Sequence, residues 1–250
     1  MTRKTALVTG AGTGIGKAVA LTLLNNNYNV VLTGRRQSKL EEVIVAAGDQ
    51  GVNALAVAAD VTNVEQVDHL FERCVESFGR LDVLFNNAGI AAAPVDIDEL
   101  DVEAWQSVVD TNITGSFLCA RRAFGVMKKQ SPQGGRIINN GSISAHAPRP
   151  NSTPYTVSKH AITGLTRCLA LDGRRYNIAC GQIDIGNAET EMAKPLAEGT
   201  LQANGIILAE PLMDVQHIGD SVLNMAELPL ESNVLFMTIM ATKMPLVGRG

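Results

Sequence analysis

At 250 residues, with 46% hydrophobic and 18% charged residues, the chain carries ample material for a buried core and is not composed like a disordered one. Aromatics are scarce at 4% and glycine is frequent at 23 residues, which suits aliphatic strands and tight turns better than a β-sandwich. With 21 Lys plus Arg against 25 Asp plus Glu, the formal net charge of -4 lacks the electrostatic footprint of a nucleic-acid binder.

Met1-Thr2-Arg3-Lys4 enters an apolar run at once, leaving no room for a signal peptide. No apolar run reaches the roughly 18 residues of a membrane span, so a cytoplasmic protein without a membrane partner is expected. Cys74, Cys119, Cys168 and Cys180 lack paired CxxC spacing, which argues against a metal site or a disulfide framework. Thr5-Ala6-Leu7-Val8 reads as a first strand, and a helical pattern begins near Gly14. Val30-Val31-Leu32 precedes a charged helical segment over 37–47, and 54–58 precedes a helix over 63–79. In the latter, Val64, Val67, Leu70, Phe71, Val75 and Phe78 keep helical spacing. Val83-Leu84-Phe85 and Arg136-Ile137-Ile138 are further strands, separated by a long helical stretch over about 102–129. A helix is expected over 154–175, with Pro154 in its first turn, and strands over 177–183 and 233–240. The alternation predicts one α/β domain over 1–250, a doubly wound parallel sheet of about seven strands with helices on both faces. Segment 187–213, irregular and holding two prolines, reads as a lid over the site or as an ordinary surface excursion.

The loop Gly10-Ala11-Gly12-Thr13-Gly14-Ile15-Gly16 follows the first strand and opens the first helix. There a backbone can approach a pyrophosphate, whose charge the helix N-terminus favours. A simple tight turn is the plainer alternative. An acidic residue about 20 positions on normally holds the ribose 2′-OH of NAD. Here the second strand ends in Thr33-Gly34-Arg35-Arg36, with no Asp or Glu between Gly10 and Leu40. Two guanidiniums suit a 2′-phosphate and favour NADP(H) over NAD(H). Asp60, closing the third strand with Val61 beside it, is placed for the adenine edge.

Tyr155 and Lys159 are four apart on a predicted helix and share one face. They follow the strand that ends Asn139-Asn140-Gly141-Ser142, which puts Ser142 on the same sheet edge as the glycine loop. A phenol, an ammonium and a hydroxyl beside a nicotinamide outline a hydride-transfer site. With these pieces the chain resembles the short-chain dehydrogenase/reductase family. The matching residues are Thr9-Gly10-x-x-x-Gly14-x-Gly16, Asn86-Asn87-Ala88-Gly89, Asn112, Ser142 and Tyr155-Thr156-Val157-Ser158-Lys159, spread over 5–190. Ser142 stands 13 residues before Tyr155, the family's spacing, which makes Ser144 the weaker candidate.

The resemblance implies a single-domain Rossmann fold and NAD(P)-dependent interconversion of a carbonyl and a secondary alcohol, with a small-molecule substrate. It implies that Tyr155 is the general acid/base, that Lys159 favours its phenolate and bonds the nicotinamide ribose, and that Ser142 polarises the substrate oxygen. Asn112 would hold a water linking Lys159 to solvent. Asn87, Ala88 and Gly89 would pack against the adenosine half, and Gly186 and Thr190 would meet the nicotinamide end, Thr190 at its carboxamide. A homotetramer or a dimer is implied as well. Two departures stand out: Ile185-Gly186 occupies the place of the family's usual Pro-Gly, and Met237 to Pro245 replaces a Val-Asp-Gly-Gly-like tail. A 3-oxoacyl thioester is the candidate substrate; sugars, polyols or other secondary alcohols are the alternative, and a non-catalytic NADP(H)-binding sensor is the alternative of another class. Arg149, between two prolines, could meet an acidic substrate group. His146, His160, Glu189 and Glu191 read as packed or solvated residues, and Met237, Met240 and Met244 as core or interface filler.

Overall fold

β1 (Lys4–Thr9), β2 (Tyr28–Gly34) and β3 (Ala54–Ala58) are aliphatic runs, the first two almost wholly buried, as strands covered on both faces must be. The computed structural model describes residues 3–247, so Met1, Thr2 and 248–250, the ends of the expected 1–250 domain, lie outside the described residues. Between these strands run α1 (Gly14–Asn25) and α2 (Gln37–Ala46). α3 (Val64–Phe78) follows local rules closely: the Asn63 side chain accepts from the Gln66 N–H, and Gly79 (φ 76) ends the helix in the left-handed region.

β4 (Val83–Asn86) leads to the stretch predicted as one helix over 102–129, and here the structure differs. α4 (Val102–Val108) and α5 (Ser116–Lys129) are separated by a π-helical turn over Val109–Gly115. Gly115 sits so close to Val61 that an added methyl would lie 2.6 Å from its Cγ2. Wide turns of this kind often mark functional sites.

β5 (Gly135–Asn140), α6 (Thr153–Asp172) and β6 (Ile178–Gly186) come next. The expected strand over 177–183 starts one residue later, because Asn177 is left-handed (φ 56). It runs on to Gly186 because Gln182 to Gly186 pair with the last strand. Segment 187–213 folds into α7 (Lys194–Glu198) and a small antiparallel hairpin of β7 (Thr200–Leu201) and β8 (Ile207–Leu208). An isolated bridge from Ala188 to Met213 closes its base. α8 (Gln216–Glu227), for which the sequence reading had no element, packs on α1 through Ile218, Val222, Met225 and Ala226. β9 (Phe236–Met240) starts later than the predicted residue 233, because Asn233 is held by its side chain. Its Oδ1 accepts from Arg136 Nη1 at 3.0 Å and its Nδ2 donates to the Cys180 carbonyl at 2.7 Å.

The seven strands form one parallel sheet in the order β3-β2-β1-β4-β5-β6-β9, a doubly wound Rossmann fold with helices on both faces. One core packs Val8, Leu32 and Phe85 against α1 and α8; the other packs Leu7, Val31 and Leu84 against α3 and α5. All four cysteines are free, and burial pushes the thiols of Cys74, Cys119 and Cys180 up to about 12. No described helix is long and apolar enough to cross a membrane.

Candidate active site

The strand order reverses between β1 and β4, and there the carboxyl ends open on a continuous cleft of about 840 Å³. Gly10, Gly12, Thr13, Gly14, Ile15 and Gly16 line it. Gly10 (φ 63) and Gly14 (φ 50) adopt left-handed backbone, and a methyl on Gly16 would fall 2.2 Å from the Gly10 carbonyl oxygen. α1 then begins with no side-chain cap and no acidic residue in its first turn. Its polarised N–H groups are left for an anion, so the cradle fits the pyrophosphate of a nicotinamide dinucleotide.

Arg35, Arg36, Asp60 and Val61 line the cleft beyond β2 and β3, and Lys39 joins them as a further cation that the sequence reading passed over. Asp60 Oδ1 accepts from the Thr62 N–H at 2.9 Å and its hydroxyl at 2.8 Å, which fixes the turn. Asn87, Ala88 and Gly89 line the middle of the cleft. Asn87 ties three strand ends together: its N–H donates to Thr9 Oγ1, its Nδ2 to the Thr9 carbonyl, both at 2.8 Å, and its Oδ1 accepts from Asn140 at 2.7 Å.

Ser142, Tyr155 and Lys159 line the far wall, brought together by the end of β5 and the first turns of α6. The Ser142 N–H donates to Asp184 Oδ1 at 3.0 Å, and its Oγ accepts from the Ser144 N–H at 3.1 Å. Lys159 is buried, yet its Nζ donates to the Asn140 carbonyl at 2.7 Å and stands 5.4 Å from the Tyr155 ring centroid.

Two expected residues do not reach the cleft wall. Asn112 is buried in the π-helical turn, and its amide is bonded to protein groups. Its Oδ1 accepts from the Ile90 N–H at 2.8 Å, and its Nδ2 donates to the Ile90 carbonyl at 2.9 Å and to Ser158 Oγ at 3.0 Å. The side chain straps the β4 exit to α6 with both amide hydrogens engaged; Thr111 beside it lines the cleft. Gly186 is packed under the tail, where an added methyl would meet Met244 Sδ at 2.7 Å and Met240 Cβ at 2.8 Å. Ile185, Asn187 and Ala188 present to the cleft in its place. Thr190 lines it as expected, and its Cγ2 would lie 3.1 Å from a methyl on Gly14.

Beneath the far wall runs a buried polar chain: Asn86 donates to Asn139, Asn139 to Thr166, Thr166 to Gln182, and Gln182 to Asp184 at 2.6 Å. Asp184 also meets His146 Nε2 at 2.8 Å, so His146 is tied to the site's support rather than merely solvated. His160 is exposed, with its Nδ1 2.9 Å from the Thr156 carbonyl. Arg149 does not wait for a substrate group: its Nη2 lies 2.5 Å from Glu210 Oε2. Asp184 and Glu210 both went unnoticed in the sequence, although a carboxylate inside the wholly buried run of β6 was a usable signal.

Comparison with known proteins gives the family and the fold. The model of the short chain dehydrogenase family matches residues 4–200. A 3β-hydroxysteroid dehydrogenase from Mediterraneibacter gnavus is 35% identical over 76% of this chain and 68% of its own. A 3-oxoacyl-[acyl-carrier-protein] reductase from Synechocystis is 36% identical over 81% of each chain. Among solved structures, a 3-ketoacyl-(acyl-carrier-protein) reductase from Brucella melitensis complexed with NADH superposes with a TM-score of 0.86 at 25% identity, covering 97% of this chain and 98% of that one.

Proposed function

This chain belongs to the short chain dehydrogenase family and is an oxidoreductase acting on CH–OH and C=O groups, and we propose that it does so with NADP(H), using Tyr155 as general acid/base. The observation that carries this reading is that Ser142, Tyr155 and Lys159 share one wall of the cleft whose floor is the glycine loop. A nicotinamide held along this cleft would supply the hydride for the carbonyl carbon, or accept it from the alcohol carbon. Tyr155 gives its hydroxyl proton to the carbonyl oxygen as the alcohol forms, and takes that proton back in the reverse direction. Ser142 Oγ already accepts from Ser144, which leaves its own hydrogen to donate to the substrate oxygen. The Lys159 ammonium spends one hydrogen on Asn140 and keeps two, so it can steady the Tyr155 phenolate and a ribose hydroxyl at once. Asn112 acts as a positioning residue, holding Ile90 to α6.

Arg35 and Arg36, with Lys39 behind them, support the preference for NADP(H), since guanidinium forks match a 2′-phosphate. Arg35→Asp then shifts the ratio of NADPH to NADH affinity towards NADH; an unchanged ratio means that Arg35 does not meet the phosphate. A 3-oxoacyl thioester is the candidate substrate, in keeping with the Synechocystis relative's name. Family membership also supports a homotetramer or dimer in the cytoplasm.

The test is a fluorescence titration with NADPH and NADH on wild type and Tyr155→Phe, followed by carbonyl turnover. Binding is retained in the variant while kcat falls by about 10²–10⁴. Undiminished turnover in the variant overturns the mechanism, and turnover by neither protein despite tight NADPH binding leaves the sensor reading standing.

A further inference from the structure

Past Tyr155, the cleft is walled by the exits of β4 and β5 and by the segment after β6. Ala91, Ala92, Pro94, Pro150, Leu196 and Leu201 make much of the surface there apolar, beside the uncharged Asn151, Ser152 and Thr200. Among the described residues one cation lines this end besides Lys159, and it is closed on an anion. Arg149, its side chain 17% exposed, pairs with Glu210, 1% exposed, at 2.5 Å. Arg149 Nη2 also donates to Asn187 Oδ1 at 2.7 Å. The Glu210 carboxylate accepts from Asn187 Nδ2 at 2.8 Å and from Gln202 Nε2 at 2.9 Å. The remaining charged group at this end, Glu191, is negative and salt-bridged to Lys194 at the surface. Arg35, Arg36 and Lys39 line the opposite end, beyond β2, where the second half of a dinucleotide belongs.

We propose that the Arg149–Glu210 pair determines substrate specificity: by closing a cation on a buried carboxylate it leaves the substrate end neutral and apolar, selecting an uncharged apolar ketone or secondary alcohol over the same skeleton bearing a carboxylate. The proposal rests on the reading of the cleft as a carbonyl/alcohol site. The physical reasons are two. An anionic substrate would lose its hydration on entering, and the Arg149 guanidinium, already paired with Glu210, would not repay it. A polyol would set several of its hydroxyls against Ala, Leu and Pro side chains, which offer them no partner. Arg149 and Glu210 lie on separate loops, so the same pair also anchors segment 187–213 over the cleft.

A matched pair of probes tests this: 2-heptanone and 6-oxoheptanoate, which differ only in a terminal methyl against a carboxylate, with glucose as the polyol. Each is measured twice, by turnover (the two ketones with NADPH, glucose with NADP⁺) and by calorimetric binding to the protein saturated with NADP⁺. The wild type favours 2-heptanone by about 100-fold, and Glu210→Gln, which unmasks the guanidinium, cuts that preference by about tenfold or more. Because Glu210→Gln strands a buried charge and risks misfolding, the double variant Arg149→Gln/Glu210→Gln is made as well; being neutral, it keeps the wild-type preference. A wild type that prefers the acid or glucose, a preference untouched in folded Glu210→Gln, or one lost in the double variant overturns the proposal. Binding preferences that follow the expected order without turnover of any probe uphold the pocket chemistry and overturn the catalytic reading instead.

Discussion

The carboxylate of Asp184, fully buried on β6, receives the backbone N–H of Ser142 at 3.0 Å, so the serine that faces the cleft is held from behind by a charge. Gln182 and His146 complete the carboxylate's shell at 2.6 and 2.8 Å. Asp184→Ala leaves the Ser142 N–H with no acceptor in the interior, at a cost of about 1–3 kcal/mol of stability. It also frees the turn that aims Ser142 Oγ. The expected result is a lower Tm and a roughly tenfold drop in kcat, with NADPH affinity little changed. Asp184→Asn recovers most of the loss, because an amide oxygen can keep Ser142 and Gln182 while His146 changes tautomer to accept from the amide nitrogen. Full activity in Asp184→Ala means that Ser142 holds its place without this support.

Much of this architecture is legible in the letters, and for physical reasons. Val30-Val31-Leu32 reads as a buried strand because the run is short, β-branched and closed by Gly34, and Asn63 and Gly79 bracket α3 because a side-chain cap and a left-handed glycine are local devices. Ser142, Tyr155 and Lys159 could be placed on one wall because parallel strands put all their carboxyl ends on one edge. What escapes is tertiary. The π-helical turn at Val109–Gly115 leaves no break in the apolar pattern, since it answers to Val61 and Ser158 on other elements. Gly186 was aligned with the cofactor by its position at the end of β6, but Met240 and Met244 of the tail cover it. Arg149 and Glu210 are 61 residues apart, and nothing in either neighbourhood announces the other. α8 is a different case, for Ile218, Val222, Met225 and Ala226 keep helical spacing and were readable.

Gly16 offers a direct check on the cofactor cradle. A methyl there would fall 2.2 Å from the Gly10 carbonyl oxygen and 2.7 Å from Asn87 Nδ2, so the glycine loop must move off the end of β4. Overpacking of that kind costs about 1–3 kcal/mol, and the displaced loop no longer presents its N–H groups to a phosphate. Gly16→Ala is therefore expected to weaken NADPH binding by about 10–100-fold in a fluorescence titration. Gly164 on α6, exposed and with nothing within 4 Å of an added methyl, is the control; Gly164→Ala should keep the affinity and gain a little helix stability. Equal affinities in the two variants remove the glycine loop from the binding site.

The Arg149–Glu210 pair makes the anchoring of segment 187–213 depend on acidity. Burial alone would push the Glu210 carboxyl up, but hydrogen bonds from Arg149, Asn187 and Gln202, with the guanidinium charge, hold it down at about 2 against an ordinary 4.5. A carboxyl lowered on folding contributes stability that is whole above the unfolded value and is lost as pH falls from there through the folded value. Anchoring is thus constant from neutral pH down to about 5 and weakens between about 4.5 and 2. Hydrogen exchange of 187–213 against pH, in wild type and in Arg149→Gln/Glu210→Gln, separates this from general acid unfolding. The wild-type segment should lose protection across that window faster than the strands of the central sheet do. The double variant, with no charge to lose, should keep a constant difference between segment and sheet. Parallel loss of protection in the two proteins would mean that the ion pair does not hold the segment down.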